Sequence, residues 1–299
     1  MGQQVTGIPM SLPSRFLPGD YDINVPVALV AGRRTYPYLL AERMKRAGVP
    51  VRLIAAEGEA SDELVASFPE EERVSIKVGQ IGHMLKAMKK FGVRYVIMAG
   101  QITPGRLFRD LYPDLKALQI LATLKARNAD TIFGAICREI DEIGVKILDA
   151  RAFMDEDLAT DGVMTGGKLH ADIEHVEFGI RMAKEVSRLD IGQGVVVRKG
   201  TVLSVEAFEG TDDMLSRANK YKTDGLIFVK TPKPKQNWYF DVPVFGTSTL
   251  ETMKRSGIET ACLEVDGVLM LEKAKVVEEA RKLGIQLYGY RTPAPEEAQ

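Results

Sequence analysis

Short apolar runs and stretches of helical period alternate along this chain. Val25 to Val30, Val51 to Ala55, Ser75 to Val78, Tyr95 to Met98 and Val145 to Leu148 have the length and composition of buried strands. Between them, apolar residues return every third or fourth position. Leu40, Met44 and Ala47 mark one helix, stopped by Gly48. Ile81, Met84, Leu85, Met88 and Phe91 mark another, stopped by Gly92. Leu111 to Arg127 and Asp130 to Ile143 read as two more helices, the second with Ile132, Ile136, Ile140 and Ile143 in register and Gly144 as its stop. A strand–turn–helix–strand opening favours right-handed crossovers and a parallel sheet.

The second half changes character. Ala171 to Ser187 has helical period. Val195 to Val197 and Val202 to Glu206 flank Arg198-Lys199-Gly200 and predict a hairpin. Leu226 to Val229 reads as a buried strand, followed by a proline-pinned loop from Thr231 to Pro243. A helix over 248–256, strands at Ala261 to Glu264 and Val268 to Leu271, a helix over Glu272 to Leu283 and a closing strand at Gln286 to Tyr290 complete the pattern. The fold class is α/β: an N-terminal Rossmann-like parallel-sheet domain and a C-terminal α/β domain. The expected boundaries are a lead-in over 1–24, the first domain over 25–160, a linker rich in acids and glycines over 161–170, the second domain over 171–291 and a tail over 292–299.

A length of 299 residues suits two ordinary domains, and 45% hydrophobic with 27% charged residues is the composition of a globular protein. A net charge of −1 gives no general attraction to nucleic acid or anionic lipid, so no nucleic-acid partner is expected. Cys137 and Cys262, in apolar patterns, read as free thiols in a reducing compartment, and their spacing does not suit a metal. The first residues lack the pattern of a signal peptide, and no run of apolar residues is long enough to cross a bilayer. The expectation is a cytoplasmic protein, able to meet a membrane only from its surface.

The chemistry concentrates between Glu206 and Gly246. Acids stand at Glu206, Glu209, Asp212, Asp213 and Asp241, and lysines at Lys230, Lys233 and Lys235. Carboxylates suit a hard cation such as Mg²⁺ and lysines suit phosphate, a mixture that phosphoryl chemistry requires. A solvated loop with ordinary ion pairs would show the same residues. Thr211 is placed to cap a helix starting at Asp212, and acids are favoured in a first helical turn anyway, so Asp212 and Asp213 fit either role. In the first half, Gly32, Gln80 and Gln101 follow strands and are expected to meet beyond the sheet's carboxyl edge, where open α/β sheets bind ligands. The turn after the first strand carries Gly32 alone and is no dinucleotide fingerprint, which counts against an NAD(P)-dependent oxidoreductase. Arg33 and Arg34 in that turn are able to hold a phosphate.

Glu209-Gly210-Thr211-Asp212, Lys233-Pro234 with Gln236, and Asp241-Val242-Pro243 with Gly246 occur in this order and spacing. With Val205-Glu206-Ala207, Lys230 and the upstream run from Gly79 to Gly100, they resemble the LpxI-type UDP-2,3-diacylglucosamine pyrophosphatases of Gram-negative lipid A biosynthesis over roughly residues 25–290. The resemblance implies hydrolysis to UMP and 2,3-diacylglucosamine 1-phosphate (lipid X) by water attacking the sugar-linked phosphorus. With it goes Mg²⁺, or another divalent cation: Asp241 would be the essential carboxylate, as ligand of Mg²⁺ or positioner of water, and Glu209 and Asp212 would complete the metal site. Lys230 and Lys233 would neutralise the pyrophosphate, and Gln236 and Thr211 would donate hydrogen bonds to its oxygens. Gly32, Gln80 and Gln101 would complete the substrate site. The implied partners are a nucleotide-linked lipid sugar as substrate, the inner membrane surface as a peripheral contact, and a second copy in a homodimer. Two departures stand out: Arg33 and Arg34 replace part of a glycine cluster, and Asn237 stands where the family has an acid. Trp238-Tyr239-Phe240, next to Asp241, offers either an acyl contact or a loop anchor. A non-catalytic nucleotide or sugar-nucleotide sensor on a Rossmann-like domain is the alternative reading.

Overall fold

The structure is a computed structural model that describes residues 12–102, 112–124, 129–221 and 224–292. The chain divides into two compact units, Met1–Asp155 and Glu156–Gln299.

In the first unit the strands are β1 (Val27–Ala31), β2 (Val51–Ala56), β3 (Arg73–Ile76), β4 (Tyr95–Ala99) and β5 (Lys146–Ile147). They form a parallel sheet in the order β3-β2-β1-β4-β5. The helices are α1 (Tyr36–Arg46), α2 (Asp62–Ala66), α3 (Ile81–Phe91), α4 (Leu115–Thr123) and α5 (Ala129–Glu142). Alternate strand residues explain the layering, since successive side chains point to opposite faces. Ala28, Ile54 and Val96 join Met84, Leu85 and Met88 of α3 and Ile136 and Ile140 of α5 in one core, while α1 packs on β1, β2 and β4. The expected Rossmann-like sheet is therefore present. β3 starts two residues earlier than its apolar run suggested, because Arg73 and Val74 pair with Leu53 and Ile54. Helix α2 lies in a stretch with no apolar period; Ser61 caps it by accepting from Leu64 N at 3.2 Å. Of the helix expected over Leu111 to Arg127, α4 occupies the middle, and residues 111 and 125–127 lie outside the described residues. So do the lead-in up to residue 11 and the tail from 293.

The second unit contains β6 (Gly162–Val163), α6 (Ile173–Arg188), β7 (Gly194–Arg198), β8 (Thr201–Val205), α7 (Thr211–Ala218), β9 (Leu226–Lys230), β10 (Val244–Phe245), α8 (Thr247–Arg255), β11 (Ile258–Glu264), β12 (Leu269–Met270), α9 (Lys273–Leu283) and β13 (Gln286–Tyr290). The main sheet has the order β6-β13-β11-β9-β7-β8. Strands β9, β11 and β13 are parallel, and β7 runs antiparallel to β9. The predicted hairpin joins β7 to β8, with Lys199 and Gly200 at positive φ in its two-residue turn. Val195, Val197, Ile227 and Val229 face α6 in one core. Val196 and Phe228 face the opposite core with Met214 of α7, Leu250 of α8 and Ala280 of α9.

Two expectations need correction here. The stretch 161–170 is not a free linker: β6 pairs with β13, Met164 N donates to Leu287 O at 2.9 Å, and His170 N donates to Gln286 Oε1 at 2.7 Å. Its glycines serve tight turns, which composition alone cannot tell from a tether. Val268 to Leu271 does not return alongside β11. Its β12 pairs in parallel with β10 as a separate two-stranded sheet.

Candidate functional site

The second unit gathers its polar chemistry where β9 ends. Lys230 is the last residue of β9 and only 6% exposed. Its Nζ donates to Thr211 Oγ1 at 2.8 Å, and that hydroxyl donates to Glu206 Oε1 at 2.6 Å. A buried ammonium is thus anchored on a neutral hydroxyl, which a carboxylate orients in turn. The other carboxylate oxygen, Glu206 Oε2, is buried with no hydrogen-bond partner. This arrangement revises the expected role of Thr211. Helix α7 begins at Thr211 itself with Gly210 at its N-cap, and the threonine hydroxyl serves the relay instead of the helix end. Asp212 and Asp213 occupy the first helical turn, where the helix dipole favours acids.

Asp241 lies in the loop after β9, its side chain 38% exposed. Its Oδ2 accepts from Gln193 Nε2 at 3.2 Å, and Lys233 Nζ stands 4.0 Å away. Lys233 is held more closely by Asp190 Oδ1, at 2.6 Å. Gln236 faces its own loop: its Oε1 accepts from Lys233 N at 2.8 Å and its Nε2 donates to Asp241 O. It therefore braces the segment that carries Asp241. Asn237 does similar work, accepting from Tyr239 N at 3.1 Å through Oδ1 and from Asp241 N at 3.0 Å through its carbonyl. Tyr239 is 44% exposed.

The strand junction brings these pieces together. Gly194 pairs with Lys230 across β7 and β9, and Thr231 N donates to Gln193 O at 3.0 Å. The backbone around Gln193 lies against Glu206: a Cβ at Gly192 would sit 2.1 Å from Glu206 O, and one at Gly194 would sit 2.7 Å from Glu206 Oε2. Gln193 and Asp190 were not among the expected site residues, and Glu206 was read only as one of the acids of the stretch, without a role. The signal for Gln193 is the pair of glycines around it just before a strand, which marks close backbone approach. Asp190, at φ 57, sits in the turn after α6 and reads as an ordinary helix stop.

The acids expected to hold a cation are not assembled as a set. Glu209 pairs with Arg217 at 2.6 Å, and among the described residues no group of three or more His, Cys, Asp or Glu is placed to hold a metal ion. Asp241 offers a half-exposed carboxylate beside Gln193, whose Oε1 is buried and unpartnered. This fits Mg²⁺ in its usual enzymatic setting, where one or two carboxylates and the substrate's phosphates supply the ligands. It does not fit a closed protein cage.

In the first unit, Gly32 and Gln101 meet at the carboxyl ends of β1 and β4, where the strand order reverses. Gly32 N donates to Ala99 O at 2.8 Å, Arg33 N to Gln101 O at 2.8 Å. A Cβ on Gly32 would lie 2.4 Å from the Gln101 carbonyl oxygen, so the contact requires glycine. Gln101 Oε1 accepts from Arg34 Nε at 2.8 Å and lies 3.5 Å from an Arg33 terminal nitrogen. Two guanidinium groups thus share one neutral amide oxygen at the sheet's switch point, the region where such sheets bind anionic ligands. Gln80 is occupied differently. It sits at the N-cap of α3, its Oε1 accepts from Lys77 N at 2.9 Å, and it lines an apolar pocket.

Fold and site define a two-unit α/β protein whose second unit gathers groups suited to a phosphate ester: a buried lysine on a hydroxyl relay and an accessible carboxylate on a braced loop. Comparison with known proteins makes this specific. The LpxI N-terminal domain matches residues 26–157 and the LpxI C-terminal domain matches residues 160–288, so the chain belongs to the LpxI family. It is 29% identical over 277 residues to the UDP-2,3-diacylglucosamine pyrophosphatase LpxI of Caulobacter vibrioides, covering 88% of this chain and 96% of that one. Among solved structures, the epimerase Mth375 of Methanothermobacter thermautotrophicus aligns over 92% of this chain and 82% of its own, at 12% identity and a TM-score of 0.29. That similarity is too low to carry an argument.

Proposed function

We propose that this protein hydrolyses the pyrophosphate bond of UDP-2,3-diacylglucosamine, releasing UMP and 2,3-diacylglucosamine 1-phosphate in lipid A biosynthesis. Family membership and the named activity of the Caulobacter relative support the reaction. The observation on this chain that carries it is Lys230. A buried ammonium held by a neutral hydroxyl keeps its charge available for an anion, and a pyrophosphate supplies one.

Water attacks the sugar-linked phosphorus. Its oxygen becomes part of the sugar 1-phosphate, the bond from that phosphorus to the bridging oxygen breaks, and the bridging oxygen leaves with UMP. Asp241 orients the attacking water and accepts its hydrogen bond. Lys230 faces the negative charge that spreads over the phosphoryl oxygens, and Thr211 and Glu206 hold Lys230 in place. Lys233, tied to Asp190, adds positive charge beside Asp241. Gln236 and Asn237 fix the loop that presents the carboxylate. Mg²⁺, held by Asp241 and the substrate's phosphates, would polarise the phosphoryl group when bound. Cysteine nucleophilic catalysis has no support: burial pushes the Cys262 thiol far up and the Cys137 thiol up to about 11. Among the described residues no helix is long and apolar enough to cross a membrane.

The test is phosphorus NMR of the protein with UDP-2,3-diacylglucosamine in ¹⁸O-labelled water, with Mg²⁺ and then with EDTA. UMP and the sugar 1-phosphate should appear, with the label on the sugar phosphate, and EDTA should stop the reaction. Asp241→Ala should lower turnover by about 10³-fold or more while substrate still binds. Intact substrate with folded wild-type protein and a range of divalent ions would refute the activity. Undiminished turnover by Asp241→Ala would refute the assignment of that residue.

A further inference from the structure

Gln193 stands immediately before β7, and its backbone is clamped there. Its carbonyl accepts from Thr231 N at 3.0 Å, and the next residue, Gly194, pairs with Lys230 on β9. The glycines on either side press against Glu206 and leave no room for a Cβ. The side chain therefore projects from a fixed point of the sheet, whereas Asp241 rides on a loop. Gln193 Nε2 donates to Asp241 Oδ2 at 3.2 Å. That bond settles the orientation of the amide, since turning it over would set a carbonyl oxygen against a carboxylate. The carbonyl end, Oε1, is then buried, and among the described residues it has no hydrogen-bond partner. Buried amide oxygens nearly always have a donor. One left open beside a half-exposed carboxylate marks the place of a donor that arrives with the reaction.

We propose that Gln193 is the second acceptor of the attacking water. The inference rests on the reaction assigned above, and every protein group it uses lies in the second unit. Water carries two hydrogens. Asp241 accepts one and Gln193 Oε1 the other, which turns the oxygen's lone pairs toward the phosphorus. As the new oxygen–phosphorus bond forms, the first proton passes to Asp241. The bond from phosphorus to the bridging oxygen breaks, and its electron pair leaves on UMP. The other end of the amide holds the carboxylate that receives the proton. One side chain thus sets both base and nucleophile against the sheet, whereas Gln236 and Asn237 brace only the loop. A consequence is selectivity for water. Methanol brings a single O–H, so with that hydrogen on Asp241 its methyl group would lie against the Gln193 carbonyl and leave it unsatisfied.

The test is turnover of UDP-2,3-diacylglucosamine by the full-length protein in aqueous methanol. Phosphorus NMR separates the sugar 1-phosphate from its methyl ester, the product of methanol attack at the same phosphorus. Wild type should form the ester in a share well below the methanol mole fraction. Gln193→Met keeps the length of the side chain and removes both polar ends. Its kcat should fall by about 10²-fold with KM within about twofold of wild type, and the ester's share of product should rise about tenfold. Gln193→Glu keeps the shape and an acceptor but sets a carboxylate against Asp241, so kcat should fall while methanol stays excluded. Three results would overturn the proposal: a wild-type ester share that matches the methanol mole fraction, a folded Gln193→Met with the kcat or product ratio of wild type, or a Gln193→Glu that admits methanol as Gln193→Met does. The wild-type ratio decides even where a variant does not fold. A raised KM with unchanged kcat would give Oε1 to a substrate hydroxyl, and a raised Mg²⁺ requirement would give it to the cation; either overturns the water role. Absence of turnover by folded wild type would refute the reaction and this role with it, whereas turnover with an unaltered product ratio in Gln193→Met refutes this role alone.

Discussion

Replacing Thr211 with valine removes one oxygen and leaves the side chain's shape intact. That oxygen makes two hydrogen bonds, accepting from Lys230 Nζ at 2.8 Å and donating to Glu206 Oε1 at 2.6 Å. Both partners are charged, and hydrogen bonds to charged groups contribute about 1.5–3 kcal/mol each. Glu206 already has one buried oxygen without a partner, so valine would leave its carboxylate wholly uncompensated by this network. Partial relaxation of the lysine recovers some of the loss, and a net stability decrease of about 2–3 kcal/mol is expected in urea unfolding. Under the proposed mechanism the catalytic effect would come from the ammonium, which loses the group that aims it. Removing a preorganised charge-stabilising donor costs on the order of 10²-fold in kcat, so turnover of UDP-2,3-diacylglucosamine should fall by about that factor with KM little changed. Thr211→Ser keeps the oxygen and should stay within about fivefold of wild type, since it loses a methyl group and some rotamer restriction but keeps both hydrogen bonds. Phosphorus NMR of UMP release at saturating substrate measures all three proteins. A folded valine variant with wild-type kcat, or valine and serine variants with equal losses, would refute the relay as a device for positioning Lys230.

Acid should act on the wall of the apolar pocket through Asp114. This residue caps α4 by accepting from Ala117 N at 3.0 Å and also accepts from His83 N at 3.1 Å. Burial raises its carboxyl pKa, but the backbone hydrogen bonds from Ala117, His83 and Gly82 outweigh it and leave the value lowered. A lowered folded pKa gives stability that is present above the unfolded value and lost as pH falls through the folded one. Asp114→Ala should therefore cost about 1 kcal/mol at neutral pH, with the gap to wild type narrowing below the carboxylate range. Urea unfolding at neutral and acid pH reads this, and a gap independent of pH would refute the electrostatic part. The thiols give a simpler test. With its pKa pushed up to about 11, Cys137 is roughly one part in a thousand thiolate at pH 8, and Cys262 lies further up still. Native protein should react with Ellman's reagent on the order of 10²-fold more slowly than free cysteine, and unfolded protein at the ordinary rate.

The fold was legible where one physical signal dominates. Buried parallel strands read as continuous apolar runs, and β1, β2 and β4 lie within a residue or two of those runs. Helices α3 and α6 were marked by an apolar stripe at helical spacing, α3 with a glycine at its end as well. Legibility failed where partners, not sequence, decide. Strand β6 is two residues long and exists because β13 offers it an edge. β12 has an ordinary apolar composition, and only β10 determines which sheet it joins.

The site shows the same division at the level of side chains. Composition and motif order pointed to Glu206–Gly246 because phosphate chemistry needs cations and carboxylates close together. Which group plays which part depends on contacts that no spacing encodes. Gln236, expected on a phosphate, spends both ends of its amide on the loop. Glu209, expected on a cation, neutralises Arg217. Thr211, expected at a helix cap and on a phosphate oxygen, bridges a lysine and a glutamate nineteen and five residues away. Each reassignment follows from one rule: a polar group that folding buries takes the nearest partner of suitable charge and geometry. The groups left for a substrate are those the fold does not use up. Among the described residues of the second unit these include the Lys230 ammonium, which rests on a neutral hydroxyl, and the Asp241 carboxylate, which keeps 38% of its side chain in solvent. A reaction that needs one cation near the transferred phosphoryl group and one carboxylate near water can be run with this pair, and that is the reason to test these two residues and Thr211 before the others.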